Sequence, residues 1–335
     1  MLSLDVLVPT CNRVLLLEQT IRSLLDAPIP AGLDVTITVI NNRSTDGTGA
    51  LLQRIVAECP ARVRVLFERR RGKSRALNAA IAQSTADLIG MVDDDERVHR
   101  NWYCEVKRAF EDETVDFIGG PYVPVWTTQP PEWLPDDYLA VLGAVDNGNE
   151  EREYSRDFPG ILKGGNAVIR RRVLLEVGPY AEYLGPSGAA RLLSCEDEEM
   201  YHRLLEHGKR GRYLPRLSIF HHVSVERLSP AYYRRWCFWR GVSRGLMDRR
   251  HPLPVPYLAG VPRFLYGRAA RGVASLVADR LDGKTNPSLG DELSVWDLAG
   301  YWWGRHIYTL ARFSPVRSRR KPPGSAHPKS LTHKR

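Results

Sequence analysis

Apolar residues along this chain gather into short runs of Val, Ile and Leu, separated by stretches in which they recur every three or four positions. The runs Leu4–Val8, Val35–Asn41, Val63–Phe67, Leu88–Val92 and Val115–Gly119 have the length and composition of strands. Between them, Leu15–Leu25, Thr48–Glu58, Ser74–Gln83 and Asn101–Glu111 carry the spacing of one helix face. Strand–helix alternation of this kind predicts an α/β fold, a mostly parallel sheet covered by helices, over the first 120 residues. Ligands of such sheets bind beyond the carboxyl ends of the strands, which directs attention to the strand-ending loops.

The pattern breaks after Gly120. Pro121–Pro135 (PYVPVWTTQPPEWLP) reads as a structured loop over the sheet, and 160–222 mixes short strands with a helix around Glu198–His207. Beyond Ser229 the chain reads as amphipathic helices with aromatics and arginines interleaved, over Tyr232–Arg250, Tyr257–Arg280 and Leu293–Arg312. From Ser314 it is rich in proline, lysine and serine and is expected to be disordered. The implied division is a main domain over 1–228 with halves 1–120 and 121–228, a basic helical extension over 229–313, and a tail over 314–335.

At 43% hydrophobic and 26% charged, the chain has the make-up of a folded protein with a sizeable core. Its five cysteines are widely spaced and form no CxxC pair, which points to reduced thiols in a cytosolic setting. The start, MLSLDVLVPTCNR, reads as a strand entering a loop and not as a secretory leader. No apolar run approaches the about 18 residues a membrane span needs. The net charge of +9 is concentrated late: Arg240–Arg335 holds 18 Lys and Arg against 6 Asp and Glu. That asymmetry suits an anionic partner, and an amphipathic basic helix suits a membrane surface. Nothing in it resembles a nucleic-acid-binding module, so no nucleic acid partner is expected.

The strongest chemical signal is Asp93-Asp94-Asp95-Glu96, which directly follows the apolar run LIGMV. Two carboxylates about 6 Å apart repel by roughly 3 kcal/mol at an effective dielectric near 20. A bound divalent cation removes that repulsion, and Mg²⁺ or Mn²⁺ favours one or two carboxylates plus phosphate oxygens. An acidic turn in water or a helix cap is the plainer alternative. VINNRSTDGT, Val39–Thr48, follows the second strand with short polar residues that suit either a β–α turn or a nucleotide base and ribose. ERRRGKSRALNAAI, Glu68–Ile81, places a basic loop at a helix start, where anions are favoured. It is not a Walker loop, because Phe67 stands where that motif needs glycine.

Taken in order, PTCNR (Pro9–Arg13), NNRSTDG, GKSRALN and VDDDE resemble the successive donor-site motifs of family-2 inverting glycosyltransferases of the GT-A fold. The resemblance implies a GT-A-like sheet and a nucleotide-diphospho-sugar donor, expected to be UDP-linked. It implies that Asp93 faces the ribose or base, with Asp94 beside it, and that Asp95 and Asp93 bind Mg²⁺ or Mn²⁺ on the diphosphate. Pro9, Thr10, Arg13, Asn41, Asn42, Ser44, Asp46, Lys73, Arg75 and Asn78 fall at or beside matching donor positions. The family often has aspartate where Asn41-Asn42 stands here, which loosens the assignment of the base.

KGGNAVIRR (Lys163–Arg172) resembles the family's glycine-rich acceptor loop, with Gly164, Gly165 and Asn166 in the matching places. CEDEEMYHRLLEHG (Cys195–Gly208) resembles the segment that supplies the catalytic base, Asp197 by choice and Glu196 as the alternative. In some relatives a histidine completes the metal site; of His221 and His222, His222 is preferred. Trp133 is a candidate for stacking on a sugar ring.

An inverting transfer needs a carboxylate to take the proton of the attacking hydroxyl, a contribution of about 10²- to 10⁴-fold. A carbohydrate or lipid-linked acceptor would suit polysaccharide or glycolipid assembly, at a cytoplasmic location with peripheral attachment to the inner membrane face. Two other readings stand beside this one. A sugar-nucleotide nucleotidyltransferase would show a GxGTR-like loop where Pro9–Arg13 stands. A non-enzymatic membrane or nucleic-acid binder leaves the acids at 93–96 and 196–199 without a purpose.

Overall fold

The computed structural model describes residues 1–134, 136–186, 191–283 and 288–308. In chain order it forms β1 (Leu2–Thr10), α1 (Val14–Asp26), β2 (Leu33–Asn41), α2 (Thr48–Glu58), β3 (Val63–Phe67), α3 (Lys73–Gln83) and β4 (Leu88–Met91). There follow β5 (Glu96–Val98), α4 (Trp102–Phe110), β6 (Phe117–Gly119), β7 (Tyr122–Trp126), β8 (Arg152–Tyr154), β9 (Ala167–Arg170) and α5 (Arg171–Val177). The last part contains α6 (Glu196–Glu206), β10 (Gly211–Tyr213), β11 (Ile219–Val223) and α7 (Pro230–Met247). A small hairpin of β12 (Tyr257–Leu258) and β13 (Val261–Pro262) leads into α8 (Arg263–Leu281) and α9 (Leu289–His306). Through residue 120 every expected strand and helix is present, with ends displaced by two residues at most.

The main sheet has the order β3-β2-β1-β4-β9-β6-β10-β8. It is parallel through β3, β2, β1 and β4, and β9 runs antiparallel to both β4 and β6. Leu4, Val6 and Val8 of β1 face a core built with α1, α2 and α4. Leu7 points the other way, into a core with α3, α5 and α6. Apolar residues on both faces explain why these strands read as unbroken runs. The register pairs Thr10 with Asn41 at the carboxyl ends of β1 and β2, and Leu7 with Met91 of β4. Three polar loops thereby leave the sheet along one edge.

Pro121–Pro135 is not simply a loop. Its first part is β7, which pairs in parallel with β11 in a small sheet ordered β5-β11-β7. Pro124 is tolerated because β7 lies at the edge of that sheet, where a missing N–H costs no ladder bond on the free side. The expected helix over Tyr257–Arg280 starts later, at Arg263, because a hairpin with Ala259 and Gly260 at positive φ precedes it.

The C-terminal helices are packed on the rest of the chain. Val242, Leu246 and Met247 of α7 join Leu184, Leu193 and Cys195, while Tyr233 and Cys237 join Leu134, Leu142 and Val223. Ser229 caps α7, accepting the Tyr232 N–H at 3.3 Å with Pro230 next in line. Gly241 and Gly245 on α7 face Gly300 and Gly304 on α9 so closely that a Cβ at Gly300 would lie 1.9 Å from the Phe238 carbonyl oxygen. Arg244 reaches Asp297 at 3.0 Å across this contact. The outer faces of α8 and α9 leave Phe264, Val273, Val277, Leu281, Trp296, Trp302 and Trp303 exposed. Among the described residues, no helix is long and apolar enough to cross a membrane. The end of the expected helix at Arg312 and the tail over 314–335 lie outside the described residues.

Candidate active site

The acidic run is a tight turn between β4 and β5, closed by the Glu96 N–H donating to the Asp93 carbonyl at 3.2 Å. The turn folds Glu96 back, and its carboxylate accepts the Asp93 N–H at 2.8 Å. One oxygen from each of Asp93, Asp95 and Glu96 lies within 4.8 Å of the others. Oxygen donors at this spacing suit a hard divalent cation. The neighbouring backbone leaves room for the cluster only because Gly165 lacks a side chain: a Cβ there would lie 2.3 Å from a Glu96 oxygen.

Cationic and polar side chains converge on the same turn. Lys73, at the start of α3, holds the two Asp93 oxygens at 2.7 and 2.8 Å and lies 3.9 Å from Glu196. Burial alone would push its ammonium down, but Asp93, Asp197 and Glu196 outweigh that and raise it well above the ordinary lysine value. Asp94 accepts Thr10 Oγ1 at 2.8 Å and Arg13 at 3.1 Å, and burial still pushes it up to about 6. Asp95 meets Arg13, Arg227 at 3.3 Å and His221 Nε2 at 3.7 Å. Burial opposes its charge, yet His221 and Arg13 prevail and hold it far below the usual carboxylate range. Glu96 is driven well up by burial and by its neighbours Asp93 and Asp95.

The two histidines stand differently to the acidic turn. Adjacent strand residues project to opposite faces, and it is the buried His221 ring that approaches Asp95, anchored by Nδ1 to the Leu142 carbonyl at 2.9 Å. His222 contributes its backbone N–H to the Asp95 carbonyl at 2.9 Å, and neither histidine is among the three carboxylates that converge within 4.8 Å.

The loops after β1 and β2 are tied to each other and to the basic loop. Asn12, at φ 57°, accepts the Thr45 N–H at 2.7 Å and donates its own N–H to Ser44 at 3.1 Å. Asn41 accepts the Ser44 N–H at 2.9 Å. The Asn42 amide is fully engaged, accepting the Gly72 N–H and donating to the Glu68 and Arg70 carbonyls at 2.8–2.9 Å. Asp46 accepts the Thr48 and Val14 N–H groups, which, with the Thr48 hydroxyl, hold it below its ordinary value against a burial that would raise it. Asn42 and Asp46 thus shape the loop, while Pro9, Thr10 and Arg13 lie where β1 reaches the turn.

Other candidates fall elsewhere. Arg75 pairs with Glu182 at 3.1 Å, and Asn78 exchanges two hydrogen bonds with the Tyr180 backbone. Two and five residues beyond Lys73 at about 100° per residue, they sit on another side of α3, away from the carboxylates. Asn166 does not present its amide to a ligand: it accepts Trp102 Nε1 at 2.9 Å and donates to the Leu217 and Pro121 carbonyls. It is 1% exposed, so its role is to lock the turn that follows Lys163. Trp133, 36% exposed, packs edge-on against Tyr233 at 5.8 Å.

Gly164 faces the start of α6, where a Cβ would lie 2.1 Å from Asp197 Oδ1. The two glycines therefore stand between Asp197 and Glu96. Glu196 is buried and pushed up to about 8, by desolvation first and then by Asp197. The site also includes Glu96, His221, Arg227 and Tyr122, which sequence reasoning did not select as site residues. Glu96 had a signal, its place in the run of four acids; Arg227 and Tyr122 had none.

Comparison with known proteins places the chain among glycosyltransferases in sequence and fold. Residues 5–178 match the family described as Glycosyl transferase family 2. The chain is similar to a glucosyl-dolichyl phosphate glucuronosyltransferase of Haloferax volcanii, 26% identical over 54% of this chain and 58% of that protein. It thus spans under two thirds of that relative's length. It is also similar to the succinoglycan biosynthesis protein ExoM of Rhizobium meliloti, 24% identical over 75% of this chain and 78% of that one. Its fold is similar to that of the mannosyltransferase PcManGT from Pyrobaculum calidifontis, solved in complex with GDP-Man and Mn²⁺. The TM-score there is 0.60 at 19% identity, over 90% of this chain and 86% of that one. GalNAc-T7, solved with UDP, GalNAc and Mn²⁺, gives a TM-score of 0.55 at 14% identity over 95% and 58% of the two chains.

Proposed function

This chain belongs to glycosyl transferase family 2, and from that premise we propose an inverting transfer of a sugar from a UDP-linked donor to a hydroxyl acceptor. The observation that carries the reading is the convergence of Asp93, Asp95 and Glu96 within 4.8 Å, with Asp197 across the Gly164–Gly165 turn. Asp93 and Asp95 with Glu96 would hold Mg²⁺ or Mn²⁺, which offsets charge on the departing nucleoside diphosphate. Thr10, Arg13, Asn41 and Ser44 line the loops that would seat the nucleoside. Asp197 takes the proton of the acceptor hydroxyl as its oxygen bonds to the sugar's anomeric carbon and the bond to phosphate breaks on the opposite face. Lys73 keeps Asp93 in place and couples the turn to α6.

The testing experiment is a thermal-stability screen of nucleotide sugars with Mn²⁺ present. Stabilisation grows with the logarithm of ligand excess over its dissociation constant, so the donor separates from the rest; equal shifts for all nucleotide sugars, or none, would count against the reading.

The acceptor class has its own support. The names of the two relatives refer to glucosyl-dolichyl phosphate and to succinoglycan biosynthesis. We propose a carbohydrate or lipid-linked acceptor met at an anionic membrane surface, with the exposed Phe264, Val277, Trp296 and Trp303 entering the interface beside the arginines of α8. Amphipathic basic helices bind in this way. Co-sedimentation with phosphatidylglycerol vesicles, reduced by salt and by Trp296→Ser with Trp303→Ser, is the expected result; binding equal on neutral vesicles would refute it.

A further inference from the structure

A cleft of about 580 Å³ lies between α3 and α6, a volume ordinary for small-molecule sites. Arg75 and Asn78 line it from α3, Glu199 and Arg203 from α6, and Tyr183 and Arg250 from the segments after α5 and α7. On each helix these residues sit on a different side from the one that meets the acids, where Lys73 holds Asp93 and Asp197 lies against Gly164. The wall is built in advance: Asn78 exchanges two hydrogen bonds with the Tyr180 backbone, and Arg203 donates to the Val177 and Pro179 carbonyls at 2.8 and 2.9 Å. Positive groups outnumber carboxylates around it. Glu182 holds Arg75 at 3.1 Å and Arg70 at 3.7 Å, both through Oε2, and Glu199 holds Arg203 at 2.8 Å. Arg250 is exposed and has no carboxylate partner among the described residues; its guanidinium lies over the Tyr183 ring, 4.1 Å from the centroid. The buried Tyr183 hydroxyl and Arg203 Nε also have no hydrogen-bond partner among the described residues. All three unmatched groups are donors, and buried donors are ordinarily met by acceptors. A phosphate offers acceptors on every side and pairs well with a guanidinium.

We propose that this cleft is a second ligand site, separate from the donor site, for a phosphorylated sugar or similar polyol. The phosphate meets Arg250, drawn from its place over Tyr183, together with the Tyr183 hydroxyl and Arg203 Nε. A bare phosphate, the size of a few waters at about 30 Å³ each, would leave most of the cleft unfilled. The carboxylates Glu182 and Glu199 repel an anion and accept from hydroxyls, which sets the polyol on their side; Glu182 Oε1 has no other partner among the described residues.

The test is calorimetry on the full chain with UDP and Mg²⁺ in excess, so that the donor site is not open to the probe. Glucose 1-phosphate represents the free ligand, and glycerophosphoinositol the deacylated head of a lipid; the tighter of the two identifies the source. At least one is expected to bind, and inorganic phosphate should bind about tenfold more weakly or worse, since it lacks the hydroxyls. Arg250→Met, which keeps an apolar chain over Tyr183 and removes the charge, should weaken the better probe by about tenfold or more. Tyr183→Phe should weaken it as well. Arg250 is exposed, so its replacement should leave Tm unchanged in the absence of probe. No binding of either probe at millimolar concentration, an affinity unaltered by Arg250→Met, or equal affinity for inorganic phosphate would each overturn the proposal. None of these readouts uses transfer activity, so the site stands or falls independently of the assignments of metal ligands and base.

Discussion

Two runs of four acids, Asp93–Glu96 between β4 and β5 and Glu196–Glu199 opening α6, look alike in composition and behave differently. In the first, cations and donors crowd the carboxylates: Lys73 on Asp93, Thr10 and Arg13 on Asp94, and Arg13, Arg227 and His221 around Asp95. In the second, Glu199 pairs with Arg203 at 2.8 Å, Glu196 is driven toward its neutral form, and Asp197 Oδ1 has no hydrogen-bond partner among the described residues. The number of acids does not assign a role; the groups opposite them do. Three carboxylates gathered within 4.8 Å of one another, with cations close by that can meet phosphate oxygens, suit holding a metal and a diphosphate, whereas an unmatched carboxylate suits accepting a proton.

The contrast can be broken at either end. Asp95→Ala should abolish both transfer and metal-dependent donor binding, read by product formation and by calorimetry with and without Mn²⁺; wild-type activity that persists in chelator would remove the cation from the scheme. Asp197→Asn should lower turnover about a hundredfold or more, the scale of a general base, while nucleotide affinity survives. The same outcome for both variants in donor binding would erase the distinction between the two runs.

The glycines sharpen it further. Gly165→Ala presses on Glu96 and should weaken Mn²⁺ binding, while Gly164→Ala presses on Asp197 and should lower turnover at normal Mn²⁺ affinity. Each is expected to cost about 1–3 kcal/mol of stability from overpacking, measurable by denaturant titration. The smallest effect concerns Glu196. Its folded value of about 8 lies above its ordinary 4.5, so between those pH values the folded protein keeps a proton that the unfolded chain has lost. Stability must then fall as pH rises through that window. Glu196→Gln should flatten the fall in Tm between about pH 5 and pH 8, and an unaltered slope would place the buried proton elsewhere.

The first 120 residues were legible in the chain to within two residues at each element end, because parallel strands covered on both faces must be apolar throughout. The acidic turn stood out for a similar reason: four adjacent acids have no use in a core. Legibility failed where a residue's partner is distant in sequence. Asn166 resembled a ligand-binding amide, but its three partners, Trp102, Pro121 and Leu217, lie 45 to 64 residues away. Strand β7 was hidden by Pro124, since its partner β11 follows it by about a hundred residues and only the sheet edge makes proline acceptable. That the His221 ring lies 3.7 Å from Asp95 follows from strand pleat, which a two-histidine run does not disclose.

By itself, the sequence determined the strand–helix rhythm, the loops that meet at one sheet edge, the acidic turn and the basic character of the last third, all of which follow from local pattern and composition. The tertiary structure alone decided which histidine faces Asp95, that Arg227 and Tyr122 reach the site, and that Gly164 and Gly165 stand between the two acidic runs. Those outcomes depend on contacts between segments far apart in the chain. The direction of a side chain in three dimensions is set by the packing of its whole element, and not by its neighbours in sequence.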